Sequence, residues 1–201
     1  MLDGWARRQL DPALNGVGSR LAAAGVTANG MTLAAFAVGI CAAIAISLGW
    51  FLIGMALILL SRLGDGLDGA IARVRGGTDL GGYLDIVLDF AFYGAVPIGF
   101  VLADPAANAV AGAVLLLSFY VNGASFLAYA IMAEKRGLKT DLRGHKSLFF
   151  TTGLAEATET LAIFVAFCLL PHWFAPLAYG FAALTFYTAL SRIVLAARTF
   201  A

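Results

Sequence analysis

The sequence predicts an all-α integral membrane protein, with six transmembrane helices and an N-terminal amphipathic juxtamembrane helix. Three observations predict it. Hydrophobic residues make up 61% of the 201 residues and charged residues 12%, where a soluble domain carries roughly twice that charge. The apolar residues gather into six stretches of about the 20 residues that a spanning helix needs. All 13 Lys and Arg fall at one end of those stretches. A net charge of +1 offers no polyanion-binding surface, so no nucleic-acid partner is expected.

Residues 1–26 precede the first apolar stretch. Leu2, Trp5, Leu10, Leu14, Val17 and Leu21 recur at near-helical spacing, with Arg7, Arg8 and Arg20 among the polar positions. This reads as one or two amphipathic helices lying on the inner leaflet. Asp11-Pro12 has the form of an N-cap and a first helical residue, restarting the helix there. The first long apolar stretch begins near Ala28, so no secretory signal is expected. Spans are predicted at 29–48, 51–72, 80–103, 107–132, 147–170 and 174–197, within a six-helix domain covering 27–201. Their outer connections are short: Gly49-Trp50, Asp104-Pro105 and Pro171-His172-Trp173. By the positive-inside rule the basic residues put both termini in the cytoplasm, as for a bacterial inner membrane protein. Cys41 and Cys168 fall in apolar runs and read as small core residues, with no disulfide expected.

The informative segment runs D-G-L-D-G-A-I-A-R-V-R-G-G-T-D-L-G-G-Y-L-D-I-V-L-D, from Asp65 to Asp89. Asp65 and Asp68 are three residues apart, Asp85 and Asp89 four, so each pair shares one face of its helix. Gly76, Gly77, Gly81 and Gly82 lie between the pairs and let the chain turn. Four anions at membrane depth repel one another unless a cation sits among them. Two divalent metal ions, which prefer oxygen ligands, are the simplest such cations. Gly69 and Ala72 remove bulk beside Asp68, and Arg73 and Arg75 add charge suited to a phosphate at the mouth. Taken alone, two pairs of intramembrane acids are equally those of a proton or cation pathway.

Written out, the pattern is D-x2-D-G-x2-A-R-x7-G-x3-D-x3-D. It resembles the signature of the CDP-alcohol phosphotransferase (CDP-alcohol phosphatidyltransferase) family, and the likeness extends to the N-terminal helix and six spans. Asn29 and Thr32 match the family's Pro-Asn-x-x-Thr opening of the first span, although Ala28 stands where proline is usual. The resemblance implies two Mg²⁺ or Mn²⁺ ions on Asp65, Asp68, Asp85 and Asp89, with Asp89 also the general base. It implies contacts to the donor's cytidine diphosphate from Asn29, Thr32, Asp68, Gly69, Ala72, Arg73 and Gly81. The implied donor is CDP-diacylglycerol, drawn from the membrane lipids. The acceptor is a cytosolic small alcohol, CMP leaves, and the protein is a homodimer. The alternatives are a CDP-choline or CDP-ethanolamine type enzyme acting on diacylglycerol, or a cation-coupled transporter.

Polar stripes point to the acceptor's side of the cavity. Ser147, Thr151, Thr152, Glu156, Glu159 and Thr160 share a face of the fifth span, Ser118, Asn122, Ser125 and Tyr129 of the fourth, and Thr185, Thr188 and Arg192 of the sixth. Such stripes face inward, because unpaired polar groups in lipid are costly. Asn122, Lys146, Glu156, Glu159 and Arg192 are therefore candidate acceptor-binding residues. The glutamates favour a polyol, amino alcohol or sugar-like acceptor; alternatively they are protonated and bond between helices. His145 and His172 have no metal-like neighbourhood.

Overall fold

The computed structural model describes residues 3–137 and 157–200, all of whose regular structure is helical. In order they are α1 (Asp3–Ala23), α2 (Ala28–Ser47), α3 (Phe51–Arg75), α4 (Asp79–Ala103), α5 (Pro105–Lys135), α6 (Ala157–Leu169) and α7 (Phe174–Phe200). A short 3-10 turn, Pro171–Trp173, joins the last two. Local chemistry explains where the helices begin. Thr27 caps α2 by accepting from the Gly30 amide at 3.1 Å, and Thr78 caps α4 by accepting from Gly81 at 3.0 Å. Asp104 caps α5 through Ala107, with Pro105 in the first turn, where its missing N–H costs nothing.

Four helical segments are long and apolar enough to cross a membrane: α2, α4, α5, and Pro171–Phe200, which contains α7. The other two predicted spans stand differently. α3 has 25 residues but holds Arg62, Asp65, Asp68, Arg73 and Arg75, which lower its apolar character. α6 is described for 13 residues, and the first ten of that predicted span lie outside the described residues. Large apolar side chains cover the outside, Leu52 65% and Val110 69% exposed among them, as a lipid-facing surface requires.

α3 packs against α1, α2 and α6, while α4 and α5 pack together and α7 lies along α5. At one end, Phe51, Phe100, Phe167 and Phe174 form a ring cluster, with Phe100 and Phe174 stacked at 5.0 Å and Phe167 and Phe174 at 4.8 Å. Such pairs contribute about 0.5–1.5 kcal/mol each beyond burial. The acids of α3 and α4 lie toward the other end of the same helices. One half of the bundle is thus fixed by apolar packing, and the polar half is positioned by it.

Three expectations change. The N-terminal segment is one helix with Pro12 inside it, with no restart at Asp11; proline removes a single amide donor there, and neighbouring turns carry the helix through. Its side chains are described from Gln9 onward, Leu10 excepted, and its face on α3 combines Leu14, against Gly66, with small residues. Gly18 and Ala22 are buried whereas Val17 is 45% exposed. Cys168 is buried, but Cys41 is exposed: in a membrane helix the outer face is as apolar as the inner, so an apolar run does not mark the core.

Close helix approach is enforced at Gly99, where an added Cβ would lie 2.6 Å from the Ala43 carbonyl oxygen. Gly99→Ala should lower stability by about 1–3 kcal/mol, read as a lower Tm in detergent. Gly180→Ala, with nothing within 4 Å of the new carbon, should leave Tm unchanged. Equal behaviour of the two variants would contradict the packing described.

Candidate functional site

α3 ends at Arg75 and its cap, Gly76, adopts φ +89°, a left-handed conformation that favours glycine. Gly77 and the capping residue Thr78 complete the turn, so α4 runs back beside α3. One carboxylate oxygen from each of Asp65, Asp68 and Asp85 then lies within 4.8 Å of the others. Asp68 is 7% exposed, Asp65 is half-buried and Asp85 is exposed, so the cluster grades from protein interior to opening. The Oδ2 atom of Asp68 is buried without a hydrogen-bond partner among the described residues. An orphaned acceptor of this kind costs roughly 1–3 kcal/mol, and here it sits among like charges.

This donor set fits a divalent cation. Mg²⁺ and Ca²⁺ take oxygen ligands at about 2.0–2.6 Å, and carboxylate oxygens within 4.8 Å of one another are close enough to share such an ion. The oxygen-only chemistry, the burial of Asp68 and its unsatisfied Oδ2 all agree with that.

Asp89 stands apart from this trio. Arg62 donates from Nη1 to its Oδ1 at 2.6 Å and lies 3.4 Å from Asp65. The guanidinium rests on the Phe92 ring, 4.0 Å from its centroid, and Nη2 reaches the Ser61 hydroxyl at 3.3 Å. Ser61 in turn donates to the Ala35 carbonyl of α2 at 2.8 Å. Gly39 makes room for this stack: a Cβ there would meet Phe92 at 2.6 Å and Ser61 Oγ at 3.0 Å. Sequence reasoning treated Arg62 only as one of the basic residues that orient the chain. The signal was present, since Arg62 lies one turn before Asp65 on the same helix face.

The predicted phosphate-side residues are partly engaged with one another. Asn29 stands against Gly81, whose added Cβ would lie 2.8 Å from Asn29 Oδ1. Thr32 bonds the Ala28 carbonyl at 3.0 Å and lies beside Asp68. Beside Gly69 only the Arg73 tip comes within 4 Å of an added carbon, and Ala72 is half-buried. Arg73 donates from Nε and Nη2 to Asn15 Oδ1 of α1, at 3.1 and 2.8 Å. Arg75 bonds the Ala22 carbonyl at 2.7 Å, serving the C-terminal end of α1 instead of the mouth of the cavity. Neither Asn15 nor the Gly18–Ala70 crossing was anticipated, because small residues carry no periodic apolar signal.

On the acceptor side, Ser118, Thr185 and Thr188 are buried, and bond carbonyls of their own helices. Arg192 of α7 donates to the Asn122 carbonyl, its Oδ1 and the Ser125 hydroxyl of α5, at 3.0, 2.9 and 2.8 Å. Tyr129 packs on Phe200 at 5.0 Å. Glu159 is half-buried in the first turn of α6. Lys146, Ser147, Thr151, Thr152, Glu156 and His145 lie outside the described residues.

A membrane bundle with this acidic turn defines a class, and comparison identifies it. The chain belongs to the CDP-alcohol phosphatidyltransferase family, whose model matches residues 25–197, and it is a membrane-embedded phosphatidyltransferase. It is 47% identical over 193 residues to the inner membrane protein YnjF of Escherichia coli (strain K12), covering 96% of this chain and 94% of that protein. Its fold is similar to the phosphatidylinositol phosphate synthase of Mycobacterium tuberculosis in complex with manganese and citrate, with TM-score 0.71 and 23% identity, over 90% and 87% of the two chains. The same enzyme with CDP-DAG bound gives TM-score 0.63 and 23% identity, over 92% and 90%.

α1 is held on α3 by close approach, since a Cβ at Gly18 would lie 2.6 Å from Ala70 Cβ and one at Gly66 2.9 Å from Leu14. Gly18→Leu should therefore lift α1 and raise amide hydrogen exchange over residues 13–23 by at least about ten-fold. Unchanged exchange would show that the helix is not secured by this crossing.

Proposed function

We propose that this protein transfers a phosphatidyl group from CDP-diacylglycerol to a hydroxyl of a small polar alcohol and releases CMP. The observation that carries the reading is the convergence of Asp65, Asp68 and Asp85 within 4.8 Å in a member of this family. The manganese and CDP-DAG of the mycobacterial relative's crystals support the metal and the donor. The inner-membrane relative and the basic residues support an inner membrane location, with six spans and with both termini and the site cytoplasmic. In this reading residues 1–26 lie on the inner leaflet and 27–201 form the catalytic domain, as a homodimer.

Two divalent ions, Mg²⁺ or Mn²⁺, held by Asp65, Asp68, Asp85 and Asp89, would neutralise charge on the donor diphosphate and the departing CMP. The rest falls to the chain's own residues. Gly69 leaves space for the nucleotide, with Asn29, Thr32, Ala72 and Gly81 around it, and Arg73 supplies positive charge near the phosphates. Arg62 bonds Oδ1 of Asp89, and the carboxylate's other oxygen takes the proton of the acceptor hydroxyl. That acceptor oxygen bonds the donor phosphorus farther from cytidine. The phosphorus–oxygen bond to CMP breaks, and CMP carries away the electron pair. The Arg192–Asn122–Ser125 joint and Glu159 flank the acceptor, with Lys146 and Glu156 as further contacts, and the acceptor is a polyol, amino alcohol or sugar-like molecule.

Purified full-length protein in lipid nanodiscs with Mn²⁺ and a panel of alcohols tests this. CMP should appear from CDP-diacylglycerol and stop on chelation with EDTA. Asp85→Asn should cut the rate by on the order of 100-fold or more without changing Tm by more than a few degrees. CMP release from CDP-choline with diacylglycerol would reverse the donor assignment. Cation flux in liposomes without CMP formation would replace the enzyme reading altogether.

A further inference from the structure

We infer that Arg62 is a positioning residue that holds Asp89 in reserve, so that a second divalent ion joins the site only together with the substrate's diphosphate. The inference rests on the metal-binding reading above. Its basis is the unequal treatment of the four carboxylates. Three of them converge within 4.8 Å, whereas Asp89 takes the short bond from Arg62 Nη1 at 2.6 Å, with Asp65 at 3.4 Å from the same atom. A charge-assisted bond of that length is about twice as strong as a neutral one, and an incoming ion must break or share it to recruit Asp89.

Charge balance gives the order. Four carboxylates against one guanidinium leave three negative charges. A first divalent ion on Asp65, Asp68 and Asp85 leaves one. A second would make the site positive, in a setting where net charge is poorly solvated. A diphosphate arriving with about two negative charges restores the balance and makes the second ion favourable. Arg62 is built to yield when that happens. It is half-buried, resting on the Phe92 face at 4.0 Å, yet its Nε has no hydrogen-bond partner among the described residues. Asp89 is its shortest contact, and Asp65 at 3.4 Å, the ring and Ser61 can keep the guanidinium in place while Oδ1 of Asp89 is shared between Arg62 and the ion.

Mn²⁺ binding, followed by electron paramagnetic resonance on the full chain in nanodiscs, tests the order with CDP as the diphosphate probe. Without CDP, the protein should bind one Mn²⁺ tightly and a second at least about ten-fold more weakly; CDP should bring the two together. Arg62→Met should tighten the second ion by ten-fold or more without CDP, and Arg62→Lys should restore most of the wild-type difference. In the chain carrying both Arg62→Met and Asp89→Asn, the gain should vanish. Asp89→Asn alone should remove the CDP-dependent second ion and leave the first within about two-fold, a readout that holds should Arg62→Met fail to fold. Two equally tight ions without CDP, no effect of Arg62→Met, or a gain that survives Asp89→Asn would each overturn the inference while leaving the metal site standing. No Mn²⁺ binding at all would overturn the site reading along with it.

Discussion

The structure is organised around a repulsion. α3 and α4 bring three carboxylates within 4.8 Å where the two helices run side by side, one of them nearly buried, in a protein with few other charges to offset them. Acids this close persist only where surrounding packing leaves them no escape or where cations share the space. Both conditions are visible. Ser61, Gly39 and Phe92 lock α2, α3 and α4 around Arg62, and the ring cluster at the far end keeps those helices from splaying. Fold and site are thus coupled: the apolar half of the bundle supplies the rigidity that the polar half needs.

α1 extends the same logic to the N-terminal segment. Leu14 and Gly18 sit directly on the α3 segment that carries the acids, against Gly66 and Ala70, and Asn15 accepts from both Nε and Nη2 of Arg73. The residue expected to meet the donor phosphates is thereby tied to α1.

Much of this was legible in the sequence, for physical reasons that differ by element. Apolar length disclosed the helices, because lipid leaves the backbone no other solution. The acids of 65–89 were legible because their spacing is helical and glycines interrupt it. What stayed hidden depends on contacts between distant segments: Arg62 with Asp89, Asn15 with Arg73, Gly18 with Ala70, Arg192 with Asn122. Side chains at these positions look ordinary one by one. Pairing Asp89 with its own helical partner Asp85 also concealed that it has a closer relationship with a cation on the neighbouring helix. Proline at position 12 and Cys41 misled in the opposite way, through local rules that a continuous helix and a lipid-facing surface override.

The central claim is that the carboxylates of α3 and α4 form a divalent-metal site at which the donor is held. Anomalous diffraction from crystals grown with Mn²⁺ and CDP tests it most directly. The account predicts a manganese peak within coordination distance of Asp65, Asp68 and Asp85, with the nucleotide's phosphates against it. A nucleotide bound elsewhere in the bundle, or manganese bound away from these three carboxylates, would contradict it.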